Sequence, residues 1–232
     1  MKNIFAFIFA FALASTAFAQ QNFFEDTQGF LKKYVNASGM VNYQKIDKAE
    51  LSDLCTQIAS FNPQKATDAQ RKAFYINAYN ILVIQAIVQG NIPASPLDIA
   101  GFFDKKIQPI AGEKLTLNQI ENKKLREVYK DPRIHFVLVC AAQSCPKLWN
   151  DAYTPQGLEM QLNSRTKLAL NDPNFIQVKA GKVQVSKLFE WYNADFTTPQ
   201  RTVVQYINQY RKTPITAAAH TYYEYNWQLN KQ

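Results

Sequence analysis

Apolar positions along this chain recur mostly at helical spacing, with polar breaks between the runs. From Phe23 to Tyr34 they share one face, and Asn36-Ala37-Ser38-Gly39 ends that helix before a short extended piece, Met40 to Tyr43. A second helix is predicted from Asp47 to Phe61, because Leu51, Leu54, Cys55 and Ile58 form one stripe; Cys55 then reads as a buried apolar filler. The third, RKAFYINAYNILVIQAIVQ, is apolar nearly all round and belongs in a core, with Thr67-Asp68 as cap candidates and Gly90 as its stop. A fourth, LTLNQIENKKLREVYK, opens on a capping box of Thr116 and Gln119 and turns Leu117, Ile120, Leu125 and Val128 inward.

Residues 134–140, IHFVLVC, are rich in β-branched and aromatic side chains and form the best strand candidate. Pro155 to Leu170 reads as a helix capped by Thr154, and FIQV with KVQVS as a hairpin around Ala180-Gly181. A further helix should open at Thr198-Pro199 and carry Val203, Val204, Ile207 and Tyr210 inward. The tail, YYEYNWQLN, is too aromatic for a loose end and is predicted to dock on the body. Helices outnumber strands and do not alternate regularly with them. The pattern therefore predicts an α+β, predominantly helical fold with a small sheet containing 134–140 and the 175–186 hairpin.

The first twenty residues form a different kind of element. Lys2, an apolar run from Ile4 to about Ala14, and Ala17-Phe18-Ala19 make the three parts of a secretory signal, with cleavage expected after Ala19. The run is shorter than the roughly 20 apolar residues a spanning helix needs, so no stable membrane insertion is expected after cleavage. Residues 20–232 contain no Gly/Ser-rich or Pro-rich divider and read as a single globular domain, destined for the periplasm or the outside of the cell.

Composition narrows the chemistry. The formal charge of +8 is dispersed, which favours plain solubility over a surface for anionic cell-envelope polymers, and no nucleic-acid partner is expected. Two His, at 135 and 220, cannot build a three-His site, and C-x₂-C spacing is absent, so no metal is expected. Seven Gly without a Gly-rich loop give nucleotide binding no support, and no cofactor is expected.

Candidate chemistry collects in DPRIHFVLVCAAQSCPKL, which follows directly on the helix carrying Glu121. Cys145, His135 and Glu121 supply the thiol, imidazole and carboxylate of a cysteine nucleophile, its base and an orienting acid. Ser144-Cys145-Pro146 resembles the opening of a helical turn, whose dipole would lower a thiol pKa. Two features oppose the triad: in an extended strand His135 and Cys140 face opposite ways, and an oxidising compartment favours a Cys140–Cys145 disulfide. Glu121 shares the apolar face of its helix, so it needs a donor or a cation, with Arg126 and Arg133 as the bland partners. Asn77 and Asn80 share a face of the core helix and read either as braces for a loop or as binding residues.

At these residues the chain resembles the family known as domain of unknown function 547. The resemblance runs through FYINAYNILVI, LTLNQIENKKLR, the His-to-SCP string, WYNADF and YNWQLN. It implies Asn77, Asn80, Glu121, His135, Cys145 and Asp195 as the positions to watch, without implying an activity. Asn122 stands where the family's pattern often has His. Two functions follow as expectations: an exported cysteine-dependent hydrolase or acyltransferase acting on a peptide or amide bond, or a non-catalytic ligand- or protein-binding domain of the cell envelope, with a small molecule or peptide as the ligand.

Overall fold

The computed structural model describes residues 22–179, 181–217 and 219–232. The expected signal segment, 1–19, lies outside the described residues. Helix α1 covers residues 22–34, followed by α2 (Lys48–Ser60) and α3 (Asp68–Gln89). A continuous helical segment runs from α4 (Leu117–Gln119) through a π-helical stretch, Ile120–Arg126, into α5 (Glu127–Tyr129). Helix α6 (Leu158–Asn171) and three short helices, α7 (Leu188–Trp191), α8 (Asn193–Phe196) and α9 (Val203–Asn208), complete the helical part. Strands β1 (Gln108–Ile110) and β2 (Glu113–Leu115) form an antiparallel hairpin. The second sheet pairs β3 (Ile176–Lys179) antiparallel with β4 (Lys182–Val185), and β4 parallel with β5 (Thr221–Tyr222). The fold is α+β and mostly helical, and among the described residues no helix is long and apolar enough to cross a membrane.

Helix α3 is the centre of the larger core. It starts on a capping box, Thr67 with Gln70, and is buried without a break from Lys72 to Ile84; Phe74 stacks on Phe61 at 3.7 Å. A second core gathers Phe136, Phe189, Phe196 and Tyr206 over β3 and β4. Ile134 and Val137 belong to the first core and Phe136 to the second, so the segment around His135 runs along the seam between them.

That segment is not the expected strand. Pro132–Phe136 is a 3₁₀ helix, started by Pro132 and by the Asp131 side chain accepting from the Arg133 N–H at 3.0 Å. The backbone beyond it needs no neighbouring strand, because the Asn80 side chain donates to the Val137 carbonyl at 2.9 Å and accepts from the Val139 N–H at 3.0 Å. A buried run of β-branched residues therefore looks like a strand in sequence while its hydrogen bonds go to an amide on α3. The predicted inward face of 115–130 also changes: Leu117, Ile120 and Leu125 are buried, but Val128 is 58% exposed. The intervening wide turn shifts the register past it. Helix α6 begins at Leu158 rather than Pro155, and α9 at Val203, where Thr202 and Gln205 form a capping box. The β1–β2 hairpin, absent from the sequence reading, turns at Ala111 and Gly112 with both φ values positive, as a two-residue hairpin turn of the primed kind requires.

One polar network ties α3, the Pro132–Phe136 turn and α6 together. Lys72, 7% exposed on α3, meets Asp131 at 2.7 Å, and Arg133 bonds the same carboxylate at 2.7 Å. Burial pushes the Asp131 carboxyl up, but the hydrogen bonds from Arg133 and Lys72 outweigh it and hold it at about 2, against 3.8 ordinarily. A depressed carboxyl pKa stabilises the fold above its ordinary value, and the contribution is lost as pH falls through the folded value. We expect a loss on the order of 1–2 kcal/mol between about pH 4 and pH 2, read from urea midpoints. An acid-induced drop as large in Asp131→Asn as in the wild type would remove this carboxylate from the account.

Candidate functional site

The 3₁₀ turn holds His135, 2% exposed, with its ring stacked on Tyr192 at a centroid distance of 4.1 Å. Its Nε2 is 2.6 Å from Asp195 Oδ2, and Arg126 grips the same carboxylate through Nε at 2.7 Å and Nη2 at 2.9 Å. Arg126 Nη1 donates to Asn122. Burial raises the Asp195 carboxyl, but His135 and Arg126 outweigh it and hold it well below the usual carboxylate range. Asp195 is thus ionised and accepts from His135 Nε2, while the other ring nitrogen, Nδ1, faces Glu121 Oε1 at 3.8 Å.

Glu121 sits in the π-helical stretch and is 6% exposed. Neither expected cation meets it. Arg126 is committed to Asp195, and Arg133 to Asp131 and Glu159. Among the described residues, no lysine or arginine forms an ion pair with Glu121; its polar neighbours are the His135 ring and the Tyr192 hydroxyl. Burial, and then the charge of Glu121, push the Tyr192 and Tyr79 phenols upward, so both remain protonated.

Cys140 and Cys145 form a disulfide, and Cys55 is the free, buried thiol, pushed up to about 12 by burial. The Cys140 N–H donates to Cys145 Sγ at 2.9 Å, and the Tyr225 hydroxyl lies 3.3 Å from each sulfur. Two parts of the nucleophile expectation change accordingly. The residues after Cys145 are not helical, so no helix dipole acts on it, and as a disulfide its sulfur is no thiolate. The strand objection also lapses, since the 3₁₀ turn and the following loop bring Glu121, His135, Cys140 and Cys145 to the wall of one cavity of about 130 Å³.

Asn77 and Asn80 do not line that cavity. Each is buried with both amide atoms spent on backbone: Asn77 on Tyr153 at 2.7 and 3.0 Å, Asn80 on Val137 and Val139. Both side chains brace backbone, because an amide's donor and acceptor match the two groups of a backbone segment that has no strand beside it.

Residues 63–168 match the family model described as "Protein of unknown function, DUF547". Over this segment the chain belongs to the DUF547 family. No curated protein and no solved structure matches the chain. The DUF547 segment supplies Glu121, His135 and both sulfurs, whereas Asp195 and much of the aromatic wall come from beyond it. Trp191, half exposed, stands with Tyr225 at 4.8 Å and Trp227 at 5.8 Å, and Phe103 reaches Trp227 from the other side at 6.3 Å. Sequence reasoning missed Arg126 as the holder of Asp195 and missed this wall, although WYNADF and YNWQLN contain most of it. Among the described residues, no group of three or more His, Cys, Asp or Glu could hold a metal ion.

Proposed function

We propose that this DUF547 domain binds a small organic cation, an ammonium group with a compact apolar body, in the cavity between the two cores. The observation that carries the reading is Glu121: a carboxylate buried without a lysine or arginine partner at an aromatic-walled cavity. A ligand ammonium would give this carboxylate a direct cationic partner beside the His135 ring and the Tyr192 hydroxyl. Indole and phenol faces attract the same cation, by about 0.5–2 kcal/mol each when water is excluded. Asp195 and Arg126 hold His135 still, which gives the ligand a rigid floor. The leader-like N-terminus supports a place of action in the periplasm or outside the cell, with the ligand drawn from there.

Two of the three Trp line the cavity, so intrinsic fluorescence reports its occupancy. Titration with choline is expected to change the emission saturably, and Glu121→Gln to weaken binding about tenfold or more. Equal affinity in Glu121→Gln contradicts the reading.

A second reading, a cysteine-dependent hydrolase or acyltransferase with Cys145 as nucleophile, His135 as base and Glu121 as acid, rests on one observation. All three line the same cavity. It requires the disulfide to be reduced first, and acylation of Cys145 by an activated ester after mild reduction would support it.

A further inference from the structure

Both sulfurs of the Cys140–Cys145 pair line the ligand cavity and are partly exposed, and Cys145 also lines a second cavity of about 260 Å³ on its other side. Exposure opens a disulfide to thiols, whereas Cys55 is sealed in the core. The hydrogen bonds around the two sulfurs are unequal. Cys145 Sγ receives the Cys140 N–H and the Tyr225 hydroxyl, while Cys140 Sγ meets only the Tyr225 hydroxyl. Donors aimed at a sulfur stabilise it as a thiolate and make it the better leaving group in exchange. Burial pushes the Tyr225 phenol upward, so it remains a donor.

We propose that Cys140–Cys145 is an exchange-active disulfide that takes a small thiol from the cavity, with Cys140 as the attacked sulfur and Cys145 as the leaving thiolate. The incoming thiolate forms a bond to Cys140 Sγ, the Cys140–Cys145 bond breaks, and its electron pair stays on Cys145 Sγ. A second thiol then displaces Cys140, so that two small thiols are oxidised to their disulfide while the protein disulfide is reduced to two thiols. The loop between the cysteines carries Ala141 at φ 64, fixed by the Asn230 N–H on its carbonyl at 2.9 Å. The C-terminal segment thereby keeps the two sulfurs beside the cavity in either redox state. This proposal does not depend on the cation reading: it concerns the two sulfurs and survives loss of Glu121.

The test treats the native, oxidised protein briefly with β-mercaptoethanol, quenches with excess iodoacetamide and maps the peptides by mass. Mixed disulfide on Cys140, with carbamidomethyl on Cys145 and none on Cys55, is the expected result. Cys55 labelling reports unfolding, so opening of the disulfide only in molecules labelled at Cys55 overturns the proposal. Mixed disulfide on Cys145 with Cys140 alkylated overturns it as well. Tyr225→Phe is expected to slow the exchange about threefold to tenfold, the size of one lost hydrogen bond to sulfur; an unchanged rate contradicts the assigned leaving group.

Discussion

Asn80→Ala is expected to destabilise the protein by about 2–5 kcal/mol, because it orphans two buried backbone groups, each worth about 1–3 kcal/mol when left unpaired. The groups are the Val137 carbonyl and the Val139 N–H, on the chain between His135 and Cys140. The loss is read from the urea midpoint by circular dichroism. Asn77→Ala removes an equivalent pair of bonds at Tyr153, away from the cavity, and should cost a similar amount of stability. Only the Asn80 variant should also alter cavity Trp emission in the folded state. A cost below about 1 kcal/mol for Asn80→Ala would mean that the 137–139 backbone finds other partners.

Asp131→Ala should cost about 3–5 kcal/mol, since it leaves Lys72 charged and buried without its partner. Arg133 keeps Glu159 and contributes less to the loss. The double variant Lys72→Met with Asp131→Ala should recover most of it, because an apolar pair of similar volume no longer strands a charge. If the double variant is as unstable as the single one, the cost comes from the lost cap on Pro132–Phe136 and from lost packing rather than from the lysine.

Helices α1 to α3, the β3–β4 hairpin and the docked tail are legible because each is specified locally, by periodicity, by capping residues or by a turn. The 134–140 segment is not, because its form depends on Asn80, fifty-seven positions away on α3. Val128 was misplaced by a wide helical turn that no local periodicity announces. At the site, Glu121 was legible as a carboxylate on an apolar face, and the Cys140–Cys145 pairing as one of two alternatives. The capture of His135 by Asp195 and Arg126 joins residues 60 and more positions apart, so the sequence offered the parts without their arrangement.

The most direct test of the account is calorimetric titration of the full chain with choline and with its neutral carbon isostere, in which tert-butyl replaces trimethylammonium. The two ligands fill the same volume and differ in charge alone. The account predicts that choline binds at one site, at least about tenfold more tightly than the isostere, and that the difference vanishes in Glu121→Gln. Equal binding of the two ligands, or no binding of choline at millimolar concentration, would contradict it and leave the cavity without a role for its buried carboxylate.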